Sequence, residues 1–154
     1  MPIRKAEHKD LWTVRKIVAD TINSVYPHFY PKGVVEFFLR HHCEENIMRD
    51  IEQGLVYILT VDNRSVGTVT VNRNELLRLF VEVPYQGKGY GRALLDFAEG
   101  LIAENFAYIV IDASLPAKRI YLKRGYRETD YNTILTEGGD HLCYDVMKKP
   151  VKKK

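Results

Sequence analysis

Apolar residues recur along this chain with two periods, and each change of period marks a change of element. Leu11, Val14, Ile17, Val18 and Ile22 share one face at helical spacing. Asp10 stands before them as an N-cap, and residues 3–7 read as a short first strand. The run Tyr26-Pro27-His28-Phe29-Tyr30-Pro31 breaks that helix, and a second helical pattern covers residues 32–52 before Gly54 stops it. The period then drops to two. Residues 55–61 and 66–71 predict a hairpin turned by Asp62-Asn63-Arg64-Ser65, and 75–83 a third strand ended by Pro84. The strongest helical stripe follows, with Leu94, Leu95, Ala98, Leu101 and Ile102 on one side. Residues 108–112 read as a strand, 117–124 as a short helix stopped by Gly125, and 127–135 and 141–148 as two last strands. The order β-α-α-β-β-β-α-β-α-β-β predicts an α/β (α+β) fold: a mixed sheet with helices on its faces.

Composition narrows the class. With 154 residues, 45% hydrophobic and 28% charged, the chain has the make-up of one globular domain with a sizeable core. We expect that domain over residues 1–149, followed by a basic tail at 150–154. Five of the last seven residues are lysine, and the remainder carries 18 basic against 20 acidic residues, a net −2. The formal +3 therefore comes from the chain end, and a nucleic-acid partner is not expected, because such a partner calls for basic charge spread over the folded surface. The longest apolar runs, such as 55–59, are strand-sized, and charged residues follow the first few positions. A soluble, cytoplasmic protein without membrane association is the expectation.

Several local signals lead nowhere. Cys43 and Cys143 form no C-x-x-C pair and are expected as reduced thiols. His41-His42-Cys43-Glu44-Glu45 has the residue types of a metal site, but helical neighbours diverge by about 100° and cannot meet on one ion, so no metal is expected. Asn63-Arg64-Ser65 reads as an ordinary turn.

The segment with chemistry is Gln86-Gly87-Lys88-Gly89-Tyr90-Gly91, placed just before the strongest helix. A helix start offers unpaired N–H groups and the positive end of the helix dipole, and glycine lets an anion approach the backbone. That combination suggests a phosphate site. The Walker spacing is absent, and a dinucleotide G-x-G-x-x-G would need glycine where Arg92 stands.

The stretch from Leu79 to Leu95 (LFVEVPYQGKGYGRALL) closely resembles the acetyl-CoA signature of the GCN5-related N-acetyltransferase (GNAT) family, with Gln86, Gly89 and Gly91 filling Gln/Arg-x-x-Gly-x-Gly/Ala. A second element, residues 117–126 (AKRIYLKRGY), resembles the family's A-x-x-x-Y-x-x-x-G-[FY] helix. The inferred element order matches as well, so the resemblance spans the chain. It implies a GNAT-like fold with splayed central parallel strands, acetyl-CoA as co-substrate without a metal, and acetyl transfer to a primary amine by direct attack. A non-catalytic acyl-CoA-binding module is the alternative.

Carried over residue by residue, the resemblance implies that backbone groups of Leu79, Phe80 and Val81 hold the pantetheine arm. Gln86, Gly87, Lys88, Gly89, Tyr90, Gly91 and Arg92 would then surround the pyrophosphate, with the Lys88 and Arg92 side chains either on the ligand or in solvent. Tyr121 stands at the family's tyrosine, a general acid for the departing thiolate. Glu75 lies where some members keep a glutamate base, and its parity with Leu77, Leu79, Val81 and Val83 suggests an inward direction. A bulge in this strand would cancel that parity. Glu82 and His141 are lesser candidates for the base. Many members have asparagine seven residues before the tyrosine, where this chain has Ser114, which offers only part of an amide's hydrogen bonding. The acceptor would enter beside Tyr26, Phe29 and Tyr30, whose rings suit an amine or an apolar body. A small-molecule amine or amino-acid-like acceptor is expected ahead of a protein, and a homodimer is left open.

Overall fold

A computed structural model describes residues 2–151. Seven strands form one sheet in the order β1-β2-β3-β4-β5-β7-β6. They are β1 (Ile3–Lys5), β2 (Val56–Val61), β3 (Arg64–Asn72), β4 (Glu75–Val81), β5 (Tyr108–Ala113), β6 (Arg127–Leu135) and β7 (His141–Pro150). The helices are α1 (Leu11–Val25), α2 (Lys32–His41), α3 (Glu44–Glu52), α4 (Tyr90–Ala103) and α5 (Leu115–Lys123). Every neighbouring pair is antiparallel except β4 and β5, which run parallel. Among the described residues no helix is long and apolar enough to cross a membrane.

The two faces of the sheet carry separate cores. Val14, Ile17, Val18 and Ile22 of α1 pack with Val34, Ile47, Ile58 and Phe80 on one side. Leu94, Leu95, Ala98 and Ile102 of α4 pack with Val69, Leu76, Ile109, Ile111 and Tyr121 on the other. β4 serves both cores at once, with Phe80 on one face and Leu76 on the other.

Several boundaries differ from the sequence expectation by a few residues, and three of the differences matter here. The hairpin turn is only Asp62-Asn63, both at positive φ (49° and 63°), as a two-residue turn with the handedness of the strands requires, and β3 already begins at Arg64. The helix expected over 32–52 is two helices. The chain leaves α2 at His42 and turns extended at Cys43, where Asn46 Nδ2 donates to the His41 carbonyl, and Glu44 and Glu45 then occupy the favourable first turn of α3. No glycine or proline marks this break. At the chain end, Pro150, expected to open the basic tail, is the last residue of β7. Lys148 and Lys149 belong to β7, Lys149 Nζ lies 3.0 Å from Glu99, and the Val151 N–H donates to the Ala107 carbonyl. Residues 152–154 of the expected tail lie outside the described residues.

Candidate active site

The site begins with an irregularity in β4. Thr70 pairs with Leu77 and Thr68 with Phe80, so Arg78 and Leu79 together face the single residue Val69. This is a bulge, and Arg78 adopts the left-handed conformation it needs, at φ 49°. An extra residue reverses the alternation of side chains. Leu76 lies in the α4 core and Phe80 in the α1 core, although regular strand geometry would put both on one face. Parity with Leu79 and Val81 therefore does not set the direction of Glu75.

The bulge also bends β4 away from β5. The two strands pair only at Glu75–Val110 and Leu76–Ile111. Past Leu76 no residue of β5 pairs with β4, which leaves an edge of backbone groups without a ladder. The gap opens into a cleft of about 510 Å³ that runs through the sheet from the α4 and α5 side to the α1 and α2 side.

At one end stand Gln86, Gly87 and Gly91. Gly87 and Gly89 both take positive φ (77° and 87°), a conformation that costs other residues about 1–2 kcal/mol, and a Cβ on either would meet nothing within 4 Å. Gly91, in the first turn of α4, has ordinary φ, and its added Cβ would meet only Val81 Cγ2 at 3.9 Å. The space before the helix start is open. Gln86 Nε2 donates to the Val81 carbonyl at 2.9 Å, tying the loop back to the end of β4.

At the centre lies Tyr121. It is 5% exposed, and among the described residues its hydroxyl forms no hydrogen bond; no fully buried side-chain oxygen there lacks a partner, so this one keeps access to the cleft. Burial, then the neighbouring Tyr26, push its pKa up. Burial likewise raises the Tyr26 phenol to about 12, partly offset by the Ser114 side chain beside it. Both phenols keep their protons across the physiological range.

The opposite end is walled by Phe37, Phe38, His41, His42 and Tyr144, with Asp112 on the floor. Phe38 meets Tyr26 edge-on at 4.8 Å between centroids, and His41 stacks on Phe37 at 5.8 Å. Arg78 fixes His42: its Nε donates to Nδ1 at 3.2 Å, while Nη1 donates to Asp50 at 2.9 Å. Nδ1 is thereby the acceptor nitrogen, and Nε2 carries the proton of the neutral ring. Burial, then the Arg78 charge, hold both histidines below the usual imidazole range. Burial raises Asp112 and, with help from the Asp112 charge, raises Glu75.

Leu79, Phe80, Val81, Gln86, Gly87, Gly91, Ser114, Tyr121 and Tyr26 all line this one cleft. Other expected site residues lie outside its lining. Glu75 sits where β4 and β5 still pair, beside Asp112. Lys88 lies over the Tyr85 ring, Arg92 is exposed, and Tyr90 packs against the α4 core. Gly89 caps α4. The aromatic trio divides as well. Phe29 is 48% exposed, and the Tyr30 hydroxyl accepts the Leu115 N–H at 2.6 Å, which makes it a cap for α5. Glu82 borders a separate groove with Lys16, and His141 is exposed. Sequence reasoning missed Phe37, Phe38, His41, His42, Arg78, Asp112 and Tyr144 as lining. The four-residue spacing of Phe37 and His41 was an available signal that they share a helix face.

Known proteins share this architecture. The sequence profile described as an acetyltransferase (GNAT) domain matches residues 25–146. An uncharacterised N-acetyltransferase of Methanocaldococcus jannaschii is 26% identical over 97% of this chain and 93% of its own length. A GCN5-related N-acetyltransferase from Rhodopseudomonas palustris superposes with a TM-score of 0.88 at 24% identity, covering 97% of this chain and 95% of that one. The PaiA N-acetyltransferase of Thermoplasma acidophilum, solved with coenzyme A, superposes with a TM-score of 0.78 at 22% identity, covering 97% and 98%. With the profile matched over most of its length, the chain belongs to the GNAT family and is an acyltransferase.

Proposed function

We propose that this protein transfers the acetyl group of acetyl-CoA directly to a primary amine, with both substrates meeting in the gap between β4 and β5. The observation that carries this reading is the early parting of those strands, which joins a glycine-rich helix start, a protonated tyrosine and an acid-floored chamber. The coenzyme A complex of the Thermoplasma relative supports the same choice of co-substrate.

The backbone of residues 86–92 at the start of α4 would take the pyrophosphate, since unpaired N–H groups and the helix dipole converge there. Gly91 marks where a ligand needs the volume of a side chain. Lys88 and Arg92, both exposed, add positive charge around it. The unladdered edge at Leu79, Phe80 and Val81 offers backbone groups for the pantetheine amides, the Val81 carbonyl already accepting from Gln86, and Ser114 faces it across the cleft.

The acceptor arrives as an ammonium with a pKa of roughly 10, so a proton must leave before nitrogen can attack. Glu75 and Asp112 take that part, directly or through water, and their raised pKa values make them stronger bases than ordinary carboxylates. Nitrogen then bonds to the thioester carbon, a backbone N–H of β4 stabilises the oxyanion, and the carbon–sulfur bond breaks. The Tyr121 hydroxyl protonates the departing thiolate, the second proton shed by the acylated nitrogen passes through water to restore the phenol, and coenzyme A leaves as the thiol.

Gly91→Val is the cleanest test of the placement, because no positive φ adds backbone strain there and valine is no worse than glycine in a helix. Acetyl-CoA affinity should fall at least 100-fold with an unchanged thermal midpoint; unaltered affinity would remove the loop from the site. A thiol-release assay over a panel of amines tests the chemistry. Tight acetyl-CoA binding without turnover on any amine would leave only an acyl-CoA-binding module.

A further inference from the structure

The acceptor end of the cleft has an uneven distribution of charge. Among the described residues lining the cleft, Asp112 is the one carboxylate and Arg78 the one lysine or arginine. The Arg78 charge is already balanced: its side chain is 6% exposed and Nη1 lies 2.9 Å from Asp50. Burial, then the Arg78 charge, oppose the protonation of His41 and His42. Nothing at this end presents an uncompensated positive charge, whereas Asp112 and the adjacent Glu75 present negative charge. A carboxylate on the acceptor would therefore be repelled and left without a partner, while an ammonium would be attracted.

Beyond Asp112 the walls are largely apolar, with His41 and His42 as the exceptions. Phe37 and Phe38 come from α2, Ile134 and Leu142 from the β6–β7 hairpin, and Tyr144 stands one pleat along from Leu142 on the same face. No second acid lines this part, so a second ammonium several bonds from the first would be buried unpaired. Phe37 and Phe38 lie 5.9 Å apart at an interplanar angle of 71°, which forms a corner able to hold a flat ring edge-on.

Resting on the acetyltransferase reading above, we propose that the acceptor is a monoamine on an apolar, ring-bearing body, with no carboxylate on the carbon next to nitrogen. Asp112 receives the ammonium and the Phe37–Phe38 corner receives the body. Phe37 is a specificity determinant, since it contacts the body and takes no part in bond making.

The test compares phenethylamine and tryptamine with phenylalanine, spermidine and an alanine-initiated peptide, using the intact protein, acetyl-CoA and thiol release. The two arylalkylamines should show kcat/KM at least tenfold above the other three. A second arm uses Phe37→Ala, which should raise KM for phenethylamine at least fivefold while leaving KM for ethylamine and the acetyl-CoA Kd within twofold. Asp112→Asn should raise KM for every amine at least tenfold with an unchanged acetyl-CoA Kd. Faster turnover of phenylalanine, spermidine or the peptide would overturn the proposal while leaving acetyl transfer standing. Equal effects of Phe37→Ala on both amines would overturn the role of the corner. Absence of turnover with all five acceptors would remove the underlying reading as well.

Discussion

Tyr121 keeps its proton because its surroundings disfavour a phenolate, burial first and the neighbouring Tyr26 second. Replacing its hydroxyl with hydrogen removes the proposed proton donor and little of the packing, since the ring also rests on Tyr126 at 5.5 Å between centroids. Tyr121→Phe should therefore lower kcat by about 10²-fold or more, the scale of one general acid. Its acetyl-CoA affinity should stay within twofold in a calorimetric titration, and an unchanged kcat would assign the donor elsewhere. Tyr121 and the glycines were legible in the sequence because each sits in a motif of fixed spacing. Glu75 was harder to read, because its direction depends on where the strand admits an extra residue. Arg78 is that residue, and a positive φ at arginine has no sequence signature. Tyr26 and Tyr30 look equivalent in the sequence, yet one lines the cleft and the other caps α5, a division set by how the chain turns after α1.

Between elements, the coenzyme side of the cleft is held by one carboxylate on α4. Glu99 accepts from Arg124 Nε at 2.6 Å, from Tyr126 Oη at 2.9 Å and from Lys149 Nζ at 3.0 Å, joining α4 to the end of α5 and to β7. Burial alone would raise its pKa, but these three donors together hold it below the usual glutamate range. A carboxylate depressed in the folded state stabilises fully above its unfolded pKa of about 4.3, and that stability is lost as pH falls through the folded value. Glu99→Gln should cost about 2 kcal/mol in urea unfolding at pH 7, because Lys149 then remains partly buried without its counter-ion and Arg124 keeps only Asp96. The variant should also show a shallower loss of stability in acid; equal acid sensitivity would mean the charge is not held as described. The strand and helix order was readable because period and turn chemistry agree along most of the chain. The break between α2 and α3 was not. It is made by Asn46 and by His42 turning toward Arg78 of β4, a contact 36 residues away in sequence.

Across the whole molecule, the acceptor end carries a cost that the fold accepts. Glu75 and Asp112 are both raised by burial, so each is less stable ionised in the folded protein than in the unfolded chain. For a carboxylate raised on folding, stability falls as pH climbs through the window between the unfolded and folded values. Glu75→Gln should therefore lose kcat/KM without losing thermal stability at pH 7, the opposite pattern to Glu99→Gln. In the parent protein, kcat/KM should fall on the acid side at a pH above the ordinary carboxylate range of about 4, and this limb should shift in Glu75→Gln. A profile identical in parent and variant would take Glu75 out of the proton path. At this scale the sequence was informative about class and less so about the chain end, where Pro150, expected in the tail, pairs with Tyr108 as the last residue of β7. The most direct test of the account is a crystal structure with coenzyme A. The diphosphate should lie against the backbone of residues 87–92, with the sulfur between β4 and β5 within hydrogen-bond reach of Tyr121 Oη. A ligand bound outside the β4–β5 gap, or a sulfur pointing away from Tyr121, would contradict it.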